Sequence, residues 1–216
     1  MSIDKMVRNE VVGGTVKQLC DKVNATTGEH TEVTERSGMD TTCVLTPTEV
    51  NKAVTTLKKA HAPTINGKYV GIIHPSVAFD LRQSKEWIEA HKYAAVTELF
   101  NGEIGELHGV RFIESTNQKI WNDSTCPVKT AAASGNPAVY YSVYATIIMG
   151  KDAFAMIDPD GGTMEMIVKT KGEAGGPLEQ FSTVGYKYEG AAKRLYEERM
   201  VRIESTSAYS ATDPAN

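Results

Sequence analysis

Between Tyr69 and Thr116 the hydrophobic pattern changes period, from a continuous apolar run to helical spacing and back to alternation, so strand and helix must share one unit. Tyr69 to Ile73, with Val70, Ile72 and Ile73, lies between Gly67 and Pro75 and predicts a buried strand. Pro75 suits the first turn of a helix, where a missing backbone N–H costs little. Val77, Ala78 and Leu81 then recur at three- and four-residue steps and share a face. A second helix is predicted from Ser84. Asn101-Gly102 marks a turn, and His108-Gly109 is a candidate two-residue hairpin connection in which Gly supplies the positive φ. Val110 and Phe112, with Glu114, line one face of the strand that follows.

The flanking sequence extends this mixed pattern. Ile3, Met6, Val7 and Val11 form a helical stripe that Gly13-Gly14 should interrupt, and residues 24–45, rich in Thr, Gly and charge, predict a loop or weakly held arm. Thr46-Pro47-Thr48-Glu49 is a capping box, with Thr46 as cap, Pro47 at the first helical position and Glu49 three residues after Thr46. Val50, Ala53, Val54 and Leu57 make the apolar face of that helix, Lys58 and Lys59 favour its C-terminal end, and Ala62-Pro63 closes it. Residues 117–138 predict a polar surface excursion. Strands are predicted at Val139 to Met149, Ala153 to Ile157 and Met164 to Val168, with a turn at 158–162 and a break at 172–177. Extended chain resumes at Phe181, propensity favours a helix over 190–199, and the small, polar residues from Ser205 to Asn216 predict a disordered tail.

Catalytic and binding signatures are weak. A net charge of −4 opposes broad nucleic-acid binding, which relies on many phosphate-neutralising cations. No run of about 18 apolar residues predicts a membrane span, and the N-terminus lacks the apolar core of a signal peptide, which places the chain in the cytoplasm. Cys20, Cys43 and Cys126 are odd in number and widely spaced, as reduced thiols are. Asp158-x-Asp160-Gly161 resembles the opening of a calcium loop, but Lys169 stands where the bidentate Glu belongs, so a plain turn competes with it. The five histidines include no zinc-type pair. His74 and Asp80 either form an acid–base dyad or close a strand–helix junction by ordinary hydrogen bonds. Neither a serine-hydrolase elbow nor a phosphate loop is present. Trp87, Tyr93 and Phe100 could stack on bases or pack in a core, and the mixed-sign group Lys193, Arg194, Glu197, Glu198 and Arg199 is a solvated face or a subunit contact.

One resemblance adds to this. The strand, Ile73-His74-Pro75, the helix, Leu99-Phe100-Asn101-Gly102-Glu103-Ile104-Gly105 and Leu107-x-Gly109-Val110-x-Phe112 are similar in order to the axial domain of a tailed-bacteriophage major capsid protein of Hong Kong 97-type fold. The subfamily resembled is that of podophages carrying a giant virion RNA polymerase. Tyr144 to Gly150, Thr183 to Lys187 and Met200 to Glu204 continue the likeness. It implies an α+β capsid fold with residues 1–62 in a peripheral domain (end of a spine helix, a loop and a helix over 46–60), 63–175 in an axial domain, 176–205 as returning peripheral strands and 206–216 as a disordered tail. The N-terminal arm and extended loop would be absent or truncated.

It further implies a non-enzymatic virion protein, without cofactor or metal, assembled in the bacterial cytoplasm. Its partners would be copies of itself in pentamers and hexamers, with scaffolding or decoration proteins in addition, DNA by enclosure only, and no membrane. His74, Pro75, Gly102, Gly105, Gly109, Gly150 and Gly185 are carried over as structural markers. A non-viral nanocompartment shell of the same fold and a hydrolase using His74 and Asp80 are the alternatives.

Overall fold

The computed structural model describes residues 3–24, 27–84, 105–131, 137–157, 164–173 and 181–216. In chain order the elements are α1 (Ile3–Val12), β1 (Lys17–Leu19), β2 (Lys22–Val23), β3 (His30–Thr31), α2 (Pro47–Lys59), β4 (Tyr69–Ile73), α3 (Pro75–Gln83), β5 (Glu106–Leu107), β6 (Val110–Glu114), β7 (Ile120–Trp121), β8 (Val128–Thr130), β9 (Val139–Tyr140), β10 (Val143–Met149), β11 (Phe154–Ile157), β12 (Glu165–Lys169), β13 (Thr183–Lys187), β14 (Ala191–Arg194) and β15 (Met200–Ser205). Seven strands form one sheet in the order β1-β15-β10-β4-β6-β5, with β7 also paired to β10. The β1–β15 and β4–β6 pairs are parallel, and the others are antiparallel.

The sheet is built around β10, whose seven residues are all buried. Its side chains alternate between two cores. Tyr144 and Ile148 join Leu57, Val77, Leu81 and Ile203 beneath α2 and α3, while Ala145, Ile147 and Met149 join Val11, Val12 and Met200 beneath α1. A strand covered on both faces reads as a continuous apolar run, which is why Tyr144 to Met149 shows no polar alternation.

Local chemistry sets the helices that cover this sheet. Thr46 caps α2 by accepting the Glu49 N–H, and Pro47 takes the first turn. The predicted capping box is only half made, because the Glu49 carboxylate does not return to Thr46. It accepts instead from Gln18 Nε2 at 2.6 Å and pairs with Lys52 Nζ at 2.8 Å. The first helix stops at Val12, before the glycine pair, and the chain turns into β1.

Three expectations are corrected. The arm is anchored, since Val33, Met39, Cys43 and Leu45 are buried in the larger core. Residues 190–199, where propensity favours a helix and the resemblance implies strands, are not α-helical. Ala191–Arg194 form β14 against β11 and Glu197–Arg199 a single 3-10 turn, so pairing overrides the propensity of Ala-Ala-Lys-Arg. The tail expected to be disordered is instead threaded along the molecule. Ser207 Oγ donates to Ser76 O, Asp80 Oδ2 accepts from Ala208 N, and Asn216 Oδ1 accepts from Arg8 Nη1 at 2.9 Å. Small polar residues can be held by specific hydrogen bonds where apolar burial is absent. All three cysteines are buried free thiols, and burial pushes Cys43 up to about 11.

Candidate assembly surface

His74 and Asp80 lie on α3 and its entry, and each is committed elsewhere. His74 caps the helix, its Nδ1 accepting the Ser76 N–H at 3.2 Å, and its ring lies 5.0 Å from that of Tyr144. Pro75 takes the first turn. The Asp80 carboxylate accepts from Ala208 N at 3.1 Å and holds Ser207. Tyr144 Oη donates to Asp213 Oδ2 at 2.6 Å. The structure therefore uses this constellation to fasten the C-terminal segment to the strand–helix junction. The tail's share, Ser207 and Asp213, has no local sequence signal.

This junction has a pH signature. Burial is the chief influence on His74 and holds it below its ordinary value, against the opposing pull of Asp213. As pH falls below about 6.5 the unfolded chain takes up this proton before the folded chain does, so stability falls through the window down to the folded value. Protonation also removes the lone pair that caps Ser76. His74→Asn, a cap that does not titrate, should keep the helix and flatten the slope. Thermal melts of both proteins between pH 7.5 and 5 measure it, and equal slopes would refute the assignment.

The glycine markers occupy different settings. His108 and Gly109, at φ 52° and 79°, make the predicted hairpin turn between β5 and β6, and the Gly109 carbonyl accepts from Tyr69 N. Gly105, at φ 71°, precedes β5. At Gly150 an added Cβ would lie 2.6 Å from Pro63 O. Gly185 faces open space. Gly102, the predicted helix after Ser84, the aromatics Trp87, Tyr93 and Phe100, and the Asp158–Asp160 turn lie outside the described residues. Among the described residues no three His, Cys, Asp or Glu side chains gather as a metal site.

A two-level antiparallel ribbon leaves the sheet after β10. At its base β11 pairs with β14, and further out β12 pairs with β13, with Met166 opposite Tyr186 and Val168 opposite Val184. Every residue of β12 and β13 is exposed. At the base, Arg194 lies between Glu10 and Glu197, its Nε 2.6 Å from Glu197 Oε1, and Arg199 stacks on Tyr196 at 3.9 Å. Part of the mixed-sign cluster is thereby tied within the chain.

The molecule thus combines a doubly covered sheet, a fastened tail and an exposed apolar ribbon, without a convergent catalytic group among the described residues. The model of a family described as phage capsid protein matches residues 4–179. The chain belongs to that family. The family is one of phage capsid proteins, and His74 and Asp80 serve in this chain to cap α3 and to hold the tail. Solved capsids share the Hong Kong 97-type α+β fold. The head of Helicobacter pylori bacteriophage KHP40 superposes with a TM-score of 0.60 at 11% identity, covering 94% of this chain and 64% of that one. The KHP30 capsid gives 0.59 at 9% identity, with 94% and 64% covered. Mycobacterium phage Che8 gives 0.52 at 18% identity, with 92% and 56% covered. The chain spans between half and two thirds of the length of these capsid chains. No curated protein matches it.

Proposed function

We propose that this chain is a major capsid subunit, one of many copies that associate into the icosahedral head shell enclosing phage DNA. The family match across residues 4–179 carries this reading. The covered sheet supplies a rigid body, and the ribbon supplies surface that the other described residues leave exposed. Copies would meet in pentamers and hexamers, with scaffolding or decoration proteins as further partners and the virion as location, after assembly in the host cytoplasm. A chain of net charge −4 would enclose DNA without gripping it. Among the described residues, no helix is long and apolar enough to cross a membrane.

The ordered motifs support the finer placement beside the podophages that carry a giant virion RNA polymerase. In the domain division proposed, β1 and β15 come from the peripheral segments and β4, β6 and β10 from the axial segment, and one hydrogen-bonded sheet joins them. His74 and Pro75 open α3, and Gly102, Gly105, Gly109 and Gly150 serve backbone geometry in this scheme. Light scattering after size exclusion tests the reading. The expected result is a mass of several subunits that rises with concentration, and a strictly monomeric mass at every concentration would overturn it.

A further inference from the structure

The register of the outer ribbon sorts its side chains by chemistry. Met166, Val168, Val184 and Tyr186 form two cross-strand pairs on one face, with Met164 continuing the apolar surface at one strand end. Glu165 opposite Lys187, Ile167 opposite Gly185 and Lys169 opposite Thr183 occupy the other face, which carries the charges. Alternation of this kind belongs to a ribbon that buries one side. Yet the five apolar residues are 49–70% exposed, and neither strand pairs with any third strand among the described residues. A lone two-stranded ribbon is marginal in water.

We propose that the apolar face of the β12–β13 ribbon is a subunit contact, covered by a second copy of this chain. The proposal rests on the shell-subunit reading and names the surface that serves it. At this exposure five large side chains present on the order of 500 Å² of apolar surface, given about 150–250 Å² for a fully exposed aromatic residue and somewhat less for Met and Val. That matches the upper range of about 300–600 Å² for the largest patch on a monomer, and approaches the roughly 800 Å² that each partner gives to a stable interface. The face carries no charge, so it offers a nucleic acid no grip. A second copy has uncharged apolar ground to meet it, namely this same face and the exposed Val128, Val139 and Leu195.

The test compares the native chain with the double variant Met166→Lys, Tyr186→Lys and with Thr183→Lys on the polar face, by light scattering over a dilution series. Circular dichroism and melting temperature establish that each variant is folded, which the exposure of all three positions favours. The expected result is association of the native chain, a weakening of about a hundredfold or more in the double variant, as for loss of central contacts, and little change in Thr183→Lys. If the folded double variant associates like the native chain, or if Thr183→Lys weakens association equally, the ribbon is not the contact and the shell-subunit reading stands. If the native chain is monomeric throughout, both fall.

Discussion

Replacing Arg36 with methionine should lower the unfolding free energy by about 3–5 kcal/mol, because it leaves a buried carboxylate without its main partner. Glu204 lies in β15, its side chain 2% exposed, between the strands that flank it. The Arg36 guanidinium grips it with two bonds, Nε to Oε2 at 2.8 Å and Nη2 to Oε1 at 2.9 Å. Arg36 also stacks on Trp121 at 4.0 Å and donates to Thr125. Arg202 adds a pair to Glu204 Oε1 at 3.0 Å, so one cation remains after the substitution and the lower end of the range applies. Methionine preserves much of the apolar stem, so the loss reports the charge rather than the packing. Adding Glu204→Leu should restore much of the stability, since removing both partners of a buried pair costs far less than removing one. Urea unfolding of the three variants measures this. A single-variant loss below 1 kcal/mol would mean that Glu204 is hydrated rather than buried.

The second large effect is expected at Gly150. Its amide donates to Arg199 O at 2.9 Å, and the next amide, Lys151, donates to Pro63 O at 2.8 Å. The chain is thereby pinned on both sides, and an added Cβ would stand 2.6 Å from that same Pro63 oxygen and 3.5 Å from Ala62 Cβ. Backbone cannot rotate away as a side chain can, so Gly150→Ala should cost about 1–3 kcal/mol. Gly185→Ala is the contrast, since its Cβ would enter open space and the unfolded chain loses freedom. Equal melting temperatures for the two alanine variants would contradict the close approach at Gly150.

The contrast between these glycines shows where sequence reasoning reached and where it stopped. Signals local to a few residues were legible: Thr46 and Pro47 opening α2, Pro75 opening α3, His108-Gly109 closing β5 onto β6, and the unbroken apolar run of β10. Each depends on backbone chemistry within about four residues. Long-range partnerships were not legible. Nothing near Glu204 announces Arg36, 168 residues earlier, and nothing in the tail announces that Asn216 will meet Arg8. The same limit applied to β14, where Ala191–Arg194 favour helix alone and strand beside β11. The ribbon was legible as two strands, but not as one apolar and one polar face. That division needs the register, which pairs Met166 with Tyr186 rather than with a neighbour one residue along.

The central claim is that this fold exists to meet copies of itself. Electron microscopy of the purified chain, imaged across a concentration series, tests it most directly. Rings of five or six subunits, or closed shells, are the expected result. A field of single particles of one subunit at every concentration would contradict it.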